Sequence, residues 1–147
     1  MNKVQGLEHD FLAAKLVNMI TYAEDGSRRS RPMTNFNEDP YSKMWFPTYS
    51  TTRKVKDIER DPRVIIGFPS SKNGKFWEIE GRATFENDGE VSRKWKWWYL
   101  YWHPEAEANG WGLEGDGSYV DHRKIIDVDP IAVRLVDAPS YSSWPRA

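Results

Sequence analysis

The stretch FPTYSTTRK, Phe46 to Lys54, concentrates groups that could hold an anion. A strand-like run through Phe46 and Pro47 leads into the hydroxyls of Thr48, Tyr49, Ser50, Thr51 and Thr52. Arg53 and Lys54 follow directly. Val55 and Ile58, at helical spacing, predict a short helix that Asp61-Pro62 stops. The first N–H groups of a helix have no partner within it, and the dipole there favours negative charge. A hydroxyl-capped helix start with two cations beside it is expected to cradle a phosphate. The blander reading is an ordinary Ser/Thr cap and two solvated cations. Two features weigh against it. Cations in a first turn oppose the helix dipole, which a nearby anion would relieve. A second basic cluster, Arg28, Arg29 and Arg31, lies upstream on a predicted strand. Alternate strand residues face opposite ways, so Arg29 and Arg31 share a face and Arg28 does not. Arg31 is the expected ligand-facing member, and Arg28 a charge that guards a strand edge.

Other chemistry is sparse. The chain has no cysteine, which excludes a disulfide framework, a thiolate nucleophile and a cysteine metal site. His9, His103 and His122 show no metal-ligand spacing, and no metal is expected. His122, beside Asp121 and Arg123, has only a weak case as a proton carrier. Glu78 and Glu80 are expected on the wet face of a strand. No Gly-x-Ser-x-Gly elbow, phosphate loop or dinucleotide fingerprint occurs, and no side chain stands out as a general acid or base. Aromatic residues are abundant: eight Trp, seven Tyr and six Phe in 147 residues. A small domain does not readily bury them all, so some are expected at a subunit interface or along a ligand wall. Val91, Trp95, Trp98 and Trp102 fall on one helical face and read as core or dimer packing. Trp97 and Tyr101, off that stripe, are the better candidates for a ring-binding wall.

The elements that must position these groups follow from periodicity. Leu7 to about Leu16 predicts a helix, with Leu12, Leu16 and Met19 at helical spacing. Val17 to Ala23 predicts a first strand, and Asp25-Gly26 a hairpin turn into a second over Arg29 to Phe36. A third strand is expected from about Lys43 to Thr48, then the short helix over Arg53 to Arg60. The apolar run Val64, Ile65, Ile66 and Phe68 predicts a strand covered on both faces. Phe76 to Phe85 alternates, with Trp77, Ile79, Gly81, Ala83 and Phe85 on one face. A helix from Val91 to Trp102, an irregular glycine-rich loop over Glu105 to Tyr119, and a last strand over Ile125 to Val136 complete the order. The tail from Pro139, with Tyr141 and Trp144, is expected to pack on a neighbour. Six hairpin-joined strands with few helices predict one mainly β domain across residues 1–147, a small antiparallel barrel, closed or split.

Three blocks in this order, RSRPMTNF (Arg29 to Phe36), FPTYSTTRKVKDIERDPRV (Phe46 to Val64) and WEIEGRATF (Trp77 to Phe85), resemble the pyridoxamine 5'-phosphate oxidase-like family, in particular its general stress protein 26-like branch. The resemblance spans roughly residues 7 to 137. It implies a six-stranded antiparallel split β-barrel of the FMN-binding type, assembled as a homodimer with two flavin sites at the subunit interface. Carried over by position, Arg31, Thr52, Arg53 and Lys54 would hold the FMN phosphate. Pro32, Met33, Phe46, Pro47 and Thr48 would lie along the ribityl chain and flavin ring. The two basic clusters noted above are the two that the family brings together, and an Arg fork on a phosphate makes a strong, charge-assisted contact. The pyridoxamine phosphate oxidases proper carry a C-terminal Trp followed by an Arg-Leu-Ala-Pro stretch, whereas this chain ends SYSSWPRA. Oxidation of vitamin B6 vitamers is therefore not expected. Residues Ala108 to Asp121 are also richer in glycine than that branch implies.

The function implied is a flavin-dependent oxidoreductase, passing hydride or electrons through the flavin between small-molecule donors and acceptors. One alternative is a flavin-binding protein without turnover, acting as a store, redox sensor or stress-response binder. Another is a relative that takes a deazaflavin or haem. An aromatic-rich carbohydrate or single-strand nucleic acid binder is the third, against which the near-neutral charge speaks. The formal net charge of −1 lacks the positive excess that a nucleic acid backbone calls for. No apolar run approaches the ~20 residues of a membrane span, and no N-terminal signal pattern is seen, so a cytoplasmic protein without a membrane partner is expected.

Overall fold

The computed structural model describes residues 1–102 and 122–138, and of residues 98–102 the backbone alone. Its elements run α1 (Leu7–Ala13), β1 (Leu16–Tyr22), β2 (Arg28–Thr34), β3 (Met44–Tyr49), α2 (Arg53–Arg60), β4 (Arg63–Pro69), β5 (Lys75–Phe85), α3 (Asp88–Trp102) and β6 (Arg123–Asp137). The strands form one antiparallel sheet in the order β2-β1-β4-β5-β6-β3, a six-stranded split barrel. The two edge strands, β2 and β3, each carry a proline (Pro32 and Pro47), tolerable where part of the ladder has no neighbour.

Helix α1 is shorter than the periodicity predicts. It buries Leu7 and Phe11, while Leu12 and Leu16 remain 46% and 45% exposed. The helix stops because Asn35 takes its last carbonyls: the Asn35 Nδ2 donates to Ala14 O at 3.0 Å and to Phe11 O at 3.4 Å. Leu16 then pairs with Thr34 in the sheet. The β1–β2 hairpin turns where expected. Ala23 N donates to Ser27 O at 2.8 Å, and Gly26 adopts φ 85°, a conformation that glycine supplies without steric conflict.

The inner face of the sheet is the core. Met19, Phe46, Ile66, Phe68, Ile79 and Ile126 are all fully buried there, and Phe11 of α1 meets Phe68 edge-on at 5.4 Å. The β5–β6 ladder shifts register between Glu80 and Gly81: Glu80 lies opposite Ala132 and Gly81 opposite Pro130. Backbones approach closely at that bulge. A Cβ on Gly81 would stand 2.5 Å from Val128 Cγ1 and 3.0 Å from Asp129 O.

One carboxylate departs from expectation. Glu78 is not solvated but buried to 1%, on the outer face of β5. It accepts from Arg134 Nε at 2.8 Å on β6 and from Arg28 Nη1 at 3.1 Å on β2. Alternation locates the face correctly, but it cannot show that two arginines reach over the sheet to cover it. Glu80 remains exposed, as read.

Helix α3 lies over the outer face of β3 and β6. Val91 and Trp95 pack there on Ile125 and Trp45. Lys94 fastens the helix through Glu86 at 2.8 Å and lies 3.9 Å from the buried Asp127. Burial, then a hydrogen bond to Glu86, pushes the Asp127 carboxyl up to about 7, with Lys94 pulling the other way. Glu86 is held low by hydrogen bonds from Asp127 and then Lys94. Asp127 thus holds the proton that the two acids share. The residues Trp98, Tyr101, Trp102 and His103, the glycine-rich loop and the tail with Tyr141 and Trp144 lie outside the residues whose side chains are described.

Gly81→Ala should lower stability by ~1–3 kcal/mol, because both neighbours of the new methyl are fixed in the ladder. Urea unfolding at an unchanged midpoint would show that the bulge relaxes. Asp127 binds its proton more tightly folded than unfolded, so its contribution to stability falls as pH rises from 3.8 to about 7 and is level above that. Asp127→Asn removes that loss. Its stability relative to the parent should rise across the same window, and a difference independent of pH would refute the raised carboxyl.

Candidate functional site

The site is built around α2. Residues Arg53 to Arg60 form the helix over the span predicted. Val55 and Ile58 bury its apolar side, and between them Asp57 is buried to 1%. Asp57 accepts from Thr21 Oγ1 of β1 at 2.8 Å, Arg29 Nη1 of β2 at 3.2 Å and Arg60 Nη2 at 3.2 Å. Arg31 Nη2 lies 3.9 Å away, and its Nη1 donates to Thr21 Oγ1 at 2.8 Å and Met19 O at 3.2 Å. Arg29 and Arg31 therefore share the inner face, while Arg28 turns to Glu78 on the outer one, as alternation predicts.

Positive charge exceeds negative charge here. Arg29, Arg31 and Arg60 lean on one carboxylate, and Glu24 adds a second, largely exposed, at 3.6 Å from Arg60. Among the described residues, Arg53 and Lys54 form no ion pair. The excess appears in the ionisation of the buried cations. Burial, then the Arg31 charge, holds Lys54 below its usual ammonium range. Burial also lowers Arg31, opposed by Asp57 and assisted by Arg29 and Arg53. Arg31, Arg53 and Lys54, from two distant stretches of chain, thus converge closely enough to repel one another.

The helix start adds to this. Thr52 occupies the N-cap position, but no side chain caps the helix. The hydroxyl-capped start read from the sequence is corrected accordingly: Thr52 Oγ1 donates back to Tyr49 O at 2.8 Å, the same turn carbonyl that accepts from Thr52 N at 3.1 Å. The first turn of α2 holds no acidic residue. Its N–H dipoles and Lys54 face the same region.

A cavity of 270 Å³ opens at this point. Met33 and Thr34 of β2 line one side, and Pro47, Thr48 and Tyr49 of β3 the other. Thr52 and Lys54 supply the cationic end, and Trp95 of α3 an aromatic wall. The cavity lies between strands at opposite ends of the sheet order, in the split of the barrel. Among the described residues, no carboxylate and no imidazole lines it.

Of the residues expected at the site, Met33, Pro47, Thr48, Thr52 and Lys54 line this cavity. Arg31 borders it electrostatically through Lys54. Arg53 is exposed and contributes charge rather than wall. Pro32 and Phe46 do not line it. Pro32 is exposed on the strand face opposite Arg31, and the Phe46 side chain is fully buried in the core. Phe46 packs against Met19, Ile66 and Ile126 in the core, which leaves none of its surface for the cavity. The sequence reading missed Tyr49, Thr34 and Asp57, and placed Trp95 in packing alone. Trp95 is buried and lines the cavity as well, its ring 5.4 Å from that of Tyr49. Asp57 could have been found as the lone acid on the apolar side of a helix facing three arginines. Among the described residues no group of three or more His, Asp or Glu could hold a metal ion. No described helix is long and apolar enough to cross a membrane.

Known proteins share this architecture. An F420 reductase superposes with a TM-score of 0.63 at 18% identity, covering 90% of this chain and 98% of its own. A protein from Clostridium acetobutylicum related to general stress protein 26 of B. subtilis, of the pyridoxinephosphate oxidase family, gives 0.61 at 14%, covering 85% and 81%. A pyridoxamine 5'-phosphate oxidase-related, FMN-binding protein from Nostoc punctiforme gives 0.62 at 12%, covering 95% and 88%. At such identities the likeness establishes the fold. No curated protein matches the sequence. The family described as "Pyridoxamine 5'-phosphate oxidase like" matches residues 2–110, most of the chain. With the three sequence blocks, the split barrel and this match in agreement, the chain belongs to the pyridoxamine 5'-phosphate oxidase-like family.

Proposed function

We propose that the cavity in the barrel split binds FMN, and that the protein is an FMN-dependent oxidoreductase acting between small-molecule donors and acceptors. The observation that carries this reading is the excess of half-buried positive charge, Arg31 and Lys54, facing a helix start that no side chain caps. A terminal phosphate would answer both at once. The Thr48 hydroxyl, 3.5 Å from that of Thr52, offers a further donor beside it. Met33, Pro47 and Trp95 suit the apolar part of a ring system. The flavin itself supplies the redox chemistry when bound. Residues of this chain bind and orient it, and Lys54 and Tyr49 are the described lining groups that carry an ionisable proton. The family further supports a homodimer with the site at the subunit interface, and the charge and composition support a cytoplasmic protein.

A deazaflavin is the second reading. It rests on the likeness to the F420 reductase and on the same cationic end, which would accept the phosphate of either cofactor. The absorption spectrum and mass of the co-purifying molecule decide between them, and a Soret band would point to haem instead. Flavin reduction by NADH or NADPH, then reoxidation, separates an enzyme from a flavin store.

Arg31→Ala and Lys54→Met should each weaken FMN binding by roughly 10- to 150-fold, the worth of a hydrogen bond to a charged group (~1.5–3 kcal/mol). Riboflavin, which lacks the phosphate, should bind parent and variants about equally. Equal losses for both ligands would place the phosphate elsewhere. Binding should also respond to pH. A phosphate beside Lys54 raises its ammonium back toward 10.5, so binding takes up a proton at pH values above the depressed ionisation. FMN affinity should therefore fall from that point as pH rises toward 10.5, and stay level in this respect below it. Lys54→Arg, charged throughout, should flatten the fall; a profile unchanged in that variant would remove Lys54 from the site.

A further inference from the structure

A second, larger cavity of 470 Å³ adjoins the first. Thr34 and Pro47 line the proposed FMN cavity, and two residues along the same segments Phe36 and Trp45 line the larger one. Two strand residues span roughly 7 Å. Helix α3 gives Trp95 to the first cavity and Lys94 and Trp97 to the second. The two spaces thus draw on neighbouring stretches of β3 and α3 and are compartments side by side along them.

Among the described residues, the apolar side chains that line the second compartment are the three rings of Phe36, Trp45 and Trp97, beside the charged Glu38, Asp39, Lys43, Arg93 and Lys94. The three rings meet at centroid distances of 4.6, 5.7 and 5.6 Å and interplanar angles of 62°, 57° and 62°. Rings so tilted present both edges and faces, the two contacts an aromatic guest favours. Trp97 remains 49% exposed beside the opening. The wall is also held in place. Trp45 N donates to Asn37 Oδ1 at 3.0 Å and Asn37 Nδ2 to Trp45 O at 3.1 Å, so the Asn37 side chain clips this segment to β3 like a strand partner. Lys94, fixed by Glu86, lies 5.5 Å from the Trp45 ring centre.

We infer that this compartment, formed by Phe36, Trp45 and Trp97 beside the FMN cavity, binds the second reactant, and that this reactant carries a planar aromatic or heteroaromatic ring. The inference rests on the FMN reading for its role, and on the ring wall alone for its ligand class. An aliphatic molecule of equal size would forgo the edge and face contacts that the three rings offer a planar ring, and so gains less.

The test uses the whole protein with and without FMN, and two probes that differ only in ring type, nicotinamide and cyclohexanecarboxamide. Binding is followed by NMR shifts of the tryptophan indole N–H signals, assigned by substitution. Nicotinamide should move the Trp45 and Trp97 signals in both forms and bind at least about threefold more tightly than the saturated probe. Trp97→Phe should keep that preference and Trp97→Leu should abolish it. Equal affinity for the two probes, a preference that survives in Trp97→Leu, or displacement of nicotinamide by FMN would overturn the assignment. Failure of FMN to bind while the ring preference persists would sink the cofactor reading, and would support the ligand class while removing its place beside a flavin.

Discussion

The buried carboxylate of Asp57 is the constraint on which the site depends. An isolated charge in that position would be prohibitive, and the position is tenable because Thr21 and three arginines surround it. The relation holds in both directions. Arg29, Arg31 and Arg60 come from a strand edge and a helix end, and without a common anion they would spread into solvent. Asp57 collects them against β1 and β2 and thereby ties α2 to both strands. The anion-facing charge of Lys54 and the N–H groups of the first turn are consequences of that anchorage. A local positive excess can thus coexist with a chain of net charge −1, because affinity for one phosphate follows the charges within a Debye length rather than the total.

The fold's second feature is its treatment of edges. An open antiparallel sheet leaves two strands with unpaired groups, a liability in an ordinary sheet. Here the edges, β2 and β3, face one another across a cavity that both line. The split that keeps the barrel from closing is what provides the space. Edge prolines are compatible with this, since an edge strand leaves part of its ladder without a strand partner. The aromatic surplus is used in the same place, with Tyr49 and Trp95 in the smaller compartment and Phe36, Trp45 and Trp97 in the larger.

Local signals account for what was legible in the sequence. Helix α2 was bounded by a hydroxyl run and Asp61-Pro62, and the β1–β2 turn by Asp25-Gly26, so both emerged where read. The convergence of Arg31 with Lys54 was legible only through the family resemblance, because no local pattern joins residues 23 positions apart. Errors arose where tertiary contacts overrode a period. Leu12 and Leu16 keep helical spacing, yet Asn35 ends the helix before Leu16 and strand pairing claims it. Glu78 alternates with apolar residues as a solvated side chain would, yet arginines from β2 and β6 cover it. Phe46 belongs to the same block, with its side chain fully buried in the core, while its neighbours Pro47 and Thr48 line the cavity.

Glu78 and Asp127 show how environment divides two buried acids on the outer side of one sheet. Glu78 has two guanidinium groups within 3.1 Å, which stabilise a full negative charge and make it a tie between β2, β5 and β6. Asp127 has a carboxylate for its nearest polar partner and an ammonium only at 3.9 Å, so burial prevails and it keeps a proton to about 7. The second arrangement is sensitive to physiological pH. Asp127 lies opposite Trp45 in the β3–β6 ladder, and its partner Lys94 comes from the helix that carries Trp95 and Trp97. A change of charge at Asp127 would therefore act first on the hold of Lys94. Through that lysine it reaches the helix that walls both compartments, while the cationic end at Arg31 and Lys54 rests on a different anion, Asp57.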